Sequence, residues 1–258
     1  MESLCAVDVH CHLDDPLFDN DIESVINDAR NKGIKGFVIS AMLDLGIERA
    51  LMLASKYPWI HLSLGVQPQY VTHDNWKDLV NQLHEKLSSS FIAVGEVGLD
   101  RGREGGEITI QEKFFREALR IASSKKLPVV VHSRGAGRNA LSIIYDEKPS
   151  VTVIMHAYDG RVSSAVEAAK HNVFFSIPPS IIRSEQKLHL VHALPLNSML
   201  LESDAPALSP NANERNVPSN VLISADVIAK EKKISLENAI NTMAESAQKI
   251  FNIDFCSK

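Results

Sequence analysis

Residues 91–100 read FIAVGEVGLD: an apolar, β-rich run, too short for a buried helix, with an acid, Glu96, at its end. The same grammar recurs along the chain in LCAVDV (4–9), GFVIS (36–40), HLSLG (61–65), PVVVH (128–132), VTVIMH (151–156), VFFS (173–176) and SMLLES (198–203). Amphipathic stretches separate these runs. In DIESVINDARNKG (21–33), for example, Ile22, Val25, Ile26 and Ala29 share one helical face and Gly33 supplies a stop. Eight strands alternating with helices predict an α/β protein, a (β/α)8 TIM-type barrel. The 258 residues suit one such barrel, so a single domain over 1–258 is expected. The Pro-, Asn- and Ser-rich segment 206–220 reads as a long loop before the last helices rather than as a linker.

Where the ionisable residues fall points to function. His10 and His12 follow the first run, Glu96 the fourth, His132 the fifth, His156 the sixth and Asp204 the eighth. In a barrel these are the carboxyl ends of the strands, where active sites are built. His10 and His12, two residues apart in a strand, share a face and can reach one ion. A lone histidine at a strand end is as often a hydrogen-bonded core residue as a ligand. Six metal-ligating groups converging on one mouth are another matter, since leaving them unpaired is costly and cations would neutralise them. The other six histidines act as an internal control. His61 and His171 precede their strands, and His73, His84, His189 and His192 fall in helices or loops; all six read as surface or packing residues.

Four histidines and two carboxylates exceed the needs of one tetrahedral ion, so two divalent ions are expected, with Glu96 the natural bridge. The mixed nitrogen and oxygen donors suit Zn, Mn or Mg alike. The formal charge of −5 excludes a broad basic surface for nucleic acid. Any such substrate must be gripped locally. Cys5, Cys11 and Cys256 are too few and too scattered for a disulfide framework, which favours a reducing compartment. Cys11, alternating with the two histidines, should face away from them as a buried thiol. With no signal-peptide pattern and no apolar run long enough to span a bilayer, the chain reads as cytoplasmic, with nuclear entry open and no membrane partner.

Taken in order, DVHCHL, GEVGLD, the Gln and Phe spacing of 111–118, PVVVHSR, HAYDG and ESDAP resemble the TatD family of metal-dependent deoxyribonucleases, a branch of the amidohydrolase-like barrels. The resemblance spans essentially the whole chain. HSRGAGR, HAYDGR and FFSIPPSIIRS are most similar to the TatD domain-containing protein 3 branch. It implies that His10, His12, Glu96 and Asp204 hold one ion and Glu96, His132 and His156 the second, with Asp204 orienting or deprotonating the attacking water. Asp8 and Glu202 then read as supports behind the ligands, Glu202 with a structural carboxylate as the equal alternative. One position departs from the family pattern: LGVQPQ carries Gln67 where many members have a histidine, which removes a titratable group but keeps a hydrogen-bond donor.

For substrate, Arg134 just beyond a ligand strand can pair with a phosphate and Tyr158 can stack a base, with packing the equal alternative for the tyrosine. Arg138 and Arg161 are weaker phosphate candidates, and Arg101 and Arg103 sit in a Gly-rich loop that reads chiefly as a turn. The leading expectation is hydrolysis of DNA phosphodiesters. The alternatives are hydrolysis of an ester or amide on the same barrel, and a scaffold that keeps its metals for stability.

Overall fold

The computed structural model describes residues 4–43, 45–102 and 106–257. Eight parallel strands form one sheet in sequence order, each ladder joining consecutive strands. They are β1 (Ala6–Cys11), β2 (Ile34–Met42), β3 (Ile60–Gly65), β4 (Phe91–Gly98), β5 (Val129–His132), β6 (Val153–Met155), β7 (Val173–Ile177) and β8 (Met199–Leu201). Every expected strand is present. Between successive strands run α1 (Ile22–Asn31), α2 (Glu48–Lys56), α3 (Trp76–Lys86), α4 (Ile108–Lys125), α5 (Gly137–Glu147), α6 (Val162–Ala169) and α7 (Glu185–Ala193). The 206–220 segment is the expected long connection, and α8 (Val221–Lys232) and α9 (Leu236–Phe251) follow it. The seam between β8 and β1 is bridged where His12 N donates to Ala205 O (2.7 Å) and Asp204 N to His10 O (2.9 Å). The fold is therefore a (β/α)8 barrel.

The strands partition their side chains between two apolar layers. Ala6, Phe37, Ile39, Val94, Val97 and Val131 pack outward against the helices, while Val7, Val9, Val38, Ala93, Val130, Ile154 and Leu200 fill the barrel interior. Strict alternation cannot then explain where the ligand residues point. Counting inward from Val7 and Val9 puts His10 on the helix side, and counting from Ala93 does the same to Glu96. The register resolves this. Between Asp8 and Cys11, β1 uses one more residue than β2, and between Val94 and Val97, β4 uses one more than β5. Each strand therefore carries a bulge, which resets the alternation and re-aims the side chain beyond it. Gly65 at the end of β3 lets the bulged backbone approach, because a Cβ there would collide with the main chain of Glu96.

The bottom of the barrel corrects the cysteine reading. Cys5 and Cys256 are joined by a disulfide across 251 residues of sequence. After α9 the chain turns beneath the barrel, and Phe255 packs on Gly36, where any Cβ would strike its ring, and edge-on to His61 and Phe251. That contact carries Cys256 to the start of β1, so distance in sequence was no guide to distance in space. The argument for a reducing compartment loses its ground. Cys11 is a free, fully buried thiol whose Sγ donates to Val38 O, as expected of a residue facing away from the histidine pair. Among the described residues no helix is long and apolar enough to cross a membrane.

Candidate metal centre

The barrel mouth brings all six expected ligands together around Glu96. Its two carboxylate oxygens face different partners: Oε2 lies 3.5 Å from both His10 Nε2 and His12 Nε2, while Oε1 lies 2.5 Å from His132 Nδ1 and 3.3 Å from His156 Nε2. Asp204 joins the first side, its Oδ1 being 3.3 Å from His10 Nε2 and 3.6 Å from His12 Nε2. Ligand atoms of His10, His12 and Asp204 lie within 4.8 Å of one another, as do those of His10, Glu96 and His156.

His10, Glu96 and His156 are buried at 5% exposure or less and Asp204 is buried too, while His12 and His132 are half-buried. Even so, Nδ1 of His10 has no hydrogen-bond partner, and Nε2 of His10 and Nδ1 of His132 face only the carboxylate oxygens of the cluster, out of hydrogen-bond alignment. Buried imidazole nitrogens are ordinarily satisfied. The nitrogens turned to the carboxylates, Nε2 of His10 and Nδ1 of His132, fit a cation there.

The electrostatics agree. Burial pushes Glu96 up, yet the charges of His132 and His156 hold its carboxyl well below the usual range, and Asp204 is held down likewise, against burial, chiefly by His156. Conversely, burial opposes protonation of His12 and His132, but Asp204 and Glu96 raise His12 to about 10, while Glu96 and Asp100 raise His132 to about 9. His156 is lifted well above its ordinary value, again against burial, by Glu202, Glu96 and Asp204. These shifts all express one demand of the carboxylates, for positive charge at the centre. A divalent ion would supply the same charge and use the imidazole lone pairs.

Behind the ligands lies a layer that orients them. Glu202 accepts from Ala157 N (2.8 Å) and Ser176 Oγ (2.5 Å) and lies 3.3 Å from His156 Nδ1, which turns Nε2 of that ring to the centre. Asp8 accepts from His10 N (3.3 Å), Ser203 N (2.8 Å) and Ser203 Oγ (2.6 Å), pinning the β1 bulge to the end of β8. Burial drives the Asp8 carboxyl up to about 7 despite these donors. The buried Lys187 donates to Ala157 O (3.0 Å) and fixes the turn after His156.

A cleft of about 570 Å³ opens over the centre, lined at its floor by His12, Glu96, His132, His156 and Asp204 and on its walls by Gln67, Arg49 and Arg134, among others. Gln67 accepts from Gln69 Nε2 (2.9 Å). Arg134 reaches the rim but forks onto Asp100, with Nε 3.0 Å from Oδ1 and Nη2 2.9 Å from Oδ2. Tyr158 is a correction. Only 1% exposed, its ring stands edge-on to Phe175 and presses on Gly137 and Gly160, so no base can stack on it. Arg138 and Arg161 are exposed beyond the cleft lining, Arg101 is exposed in its turn, and Arg103 lies outside the described residues.

Sequence reasoning passed over Asp100, Ser176, Ser203 and Lys187. Asp100 carried one signal, an acid four positions after Glu96 with a Gly-rich stretch behind it. The others carried none, because their partners are set by the three-dimensional crossing of strands remote in sequence.

Comparison with known proteins adds to this geometry. A family model described as TatD related DNase matches residues 7–252. A human protein named deoxyribonuclease TATDN3 is 38% identical over 258 residues, covering 95% of this chain and 94% of that protein. A Methanocaldococcus jannaschii protein named as the uncharacterized metal-dependent hydrolase MJ1582 is 32% identical, covering 97% of this chain and 98% of its own. Among solved structures, YjjV, a TatD homolog from Escherichia coli, matches with a TM-score of 0.88 at 24% identity over 96% of this chain and 98% of that one, a likeness of fold.

Proposed function

The chain belongs to the TatD-related DNase family of metal-dependent hydrolases, and from that premise we propose that it hydrolyses phosphodiester bonds of DNA with two divalent ions at the barrel mouth. The observation that carries the reading is the division of the Glu96 carboxylate, one oxygen turned to His10 and His12 and the other to His132 and His156. His10, His12, Asp204 and one Glu96 oxygen would hold one ion; His132, His156 and the other oxygen the second. Zn, Mn and Mg all accept this donor set.

When bound, the pair supplies charge that acidifies a water and neutralises the phosphate oxygens. Asp204, at the cleft floor, would take the proton of a water whose oxygen bonds to phosphorus as the phosphorus–oxygen bond to the leaving group breaks, the proton passing on to the leaving oxygen. Gln67 offers an amide donor on the cleft wall, and Arg134 at the rim holds a phosphate by the part of its guanidinium not engaged with Asp100. A cytoplasmic setting, open to the nucleus, goes with this substrate, and the Cys5–Cys256 bond is the feature that argues the other way.

The test is degradation of end-labelled single-stranded DNA by chelator-stripped protein reloaded with Mg, Mn or Zn, beside Asp204→Ala. Cleavage restored by metal and absent from the variant is the expected result. Bound metal with intact DNA under every ion would overturn the nuclease reading and favour a carboxylic ester or amide substrate for the same centre.

A further inference from the structure

We infer that Asp100 is a positioning residue that sets two things at once: which ring nitrogen His132 turns to the metal, and where the rim cation Arg134 stands. The inference rests on the metal-centre reading above. Asp100 lies just past the end of β4 and is 2% exposed. Its main chain is clamped from both sides by the buried Gln111, which accepts from Asp100 N (2.8 Å) and donates to Asp100 O (3.2 Å). Gly102 N then donates to Oδ1 (2.6 Å). The carboxylate so fixed receives His132 Nε2 at 2.9 Å on Oδ2, together with the Arg134 fork.

An ionised carboxylate only accepts hydrogen bonds, and the arginine only donates them. The proton between Asp100 and His132 must therefore sit on Nε2. The Nδ1 of His132, buried and turned to Glu96 Oε1, is left to face the ion. His156 does the reverse: Glu202 takes its Nδ1 and Nε2 faces the centre. The two rings on the Oε1 side thus present opposite nitrogens, each chosen by a separate buried carboxylate. Asp100 differs from Glu202 in its second duty, since the same two oxygens hold Arg134, whose side chain is 58% exposed. One group thereby registers the metal ligand and the phosphate-facing cation against each other.

An asparagine at this position cannot do both. Whichever way its amide turns, the NH2 meets a donor: His132 Nε2 and Arg134 Nη2 on one side, or Arg134 Nε and Gly102 N on the other. With the NH2 toward His132, the imidazole proton is driven to Nδ1, the atom the ion needs. Loss of an oriented partner of this kind weakens metal binding by roughly 10–100-fold.

The experiment uses 15N-histidine-labelled wild type, Asp100→Asn and Arg134→Gln, chelator-stripped and titrated with Zn2+, with stoichiometry and affinity read by calorimetry and the nitrogen bearing each proton read by NMR. In wild type, two Zn2+ and a proton on Nε2 of His132 are expected. Asp100→Asn should bind one of the two ions roughly 10–100-fold more weakly and lose the Nε2 proton signal. Arg134→Gln should keep both ions and the His132 signal and, on a DNA substrate, raise KM with kcat little changed. Wild type that binds two Zn2+ with the proton on Nδ1 of His132 overturns the inference without any variant, as does an Asp100→Asn protein with wild-type affinity and an unchanged signal. Wild type that binds fewer than two ions overturns the metal-centre reading, and this inference with it.

Discussion

The two ends of the barrel are made by the same strands and obey opposite rules. At the bottom, Val7, Val38, Ala93, Val130 and Leu200 meet Ala244, Ala247, Phe251 and Phe255 in an apolar layer closed by the Cys5–Cys256 bond. At the mouth, a few residues further along β1 and β4, the interior holds imidazole nitrogens and carboxylate oxygens within 3.6 Å of one another. Apolar burial at the bottom stabilises the chain. Packing of that kind at the mouth is given up for a cluster of charges whose carboxylates call for cations. The bulges in β1 and β4 stand where one rule changes to the other.

The largest effect should come from the mouth. Glu96→Gln keeps the side-chain volume but removes the charge shared by both halves of the centre. It should cost about 10³-fold or more in metal-dependent turnover and lower the number of bound ions measured by elemental analysis. Its thermal midpoint in chelator should move far less, because the histidines can answer by releasing protons. A Glu96→Gln protein that still binds two ions and turns over would break the comparison at its centre.

The bottom should respond the other way round. Phe255→Ala opens a cavity against Gly36 and His61 and should cost about 3–5 kcal/mol, a fall in midpoint on the order of 10 °C for a chain of this size. Ion affinity below the midpoint should be unchanged. Cys256→Ser removes a cross-link that restricts the unfolded chain and should cost about 2–4 kcal/mol, again without altering metal stoichiometry. Denaturant unfolding of wild type with and without reductant checks the same point: coincident curves would show that the packing of Phe255 alone holds the tail. A loss of bound metal in either variant would show that the two ends are coupled.

The contrast also explains what the sequence revealed and what it hid. All eight strands, the six residues at the mouth and the face chosen by Cys11 were legible, because alternation, strand-end position and residue chemistry are local properties. The reset of that alternation was not. Read strictly from Ala93, Glu96 would point at the helices, and only the register against β5 shows the extra residue that turns it inward. The pairing of Cys5 with Cys256 and the duties of Asp100 depend on chain segments meeting in space. Tyr158 was left between stacking and packing for a related reason: enclosure of a loop aromatic is not a local property, and here Phe175, Gly137 and Gly160 decide for packing.

The smallest effect tests the mouth at its edge. Gln67 lines the cleft and uses its Oε1 to accept from Gln69, which leaves its amide NH2 as the group available to a ligand. That amide is neutral at every accessible pH, so Gln67 contributes direction without charge. Gln67→His would install a group with an ordinary pKa near 6.5 at the wall of the cleft. Protonated below that pH, the imidazolium would attract a phosphate. Neutral above it, the ring would act as a weak donor much as glutamine does. The expected outcome is a new inflection in the pH profile of kcat/KM within about one unit of pH 6.5, with a gain of a few-fold on its acid side. Metal stoichiometry should be unchanged, because the residue stands outside the ring around Glu96. A profile parallel to that of wild type would mean that the substrate phosphate does not reach this wall, and would move the grip on substrate wholly to the Arg134 side of the cleft.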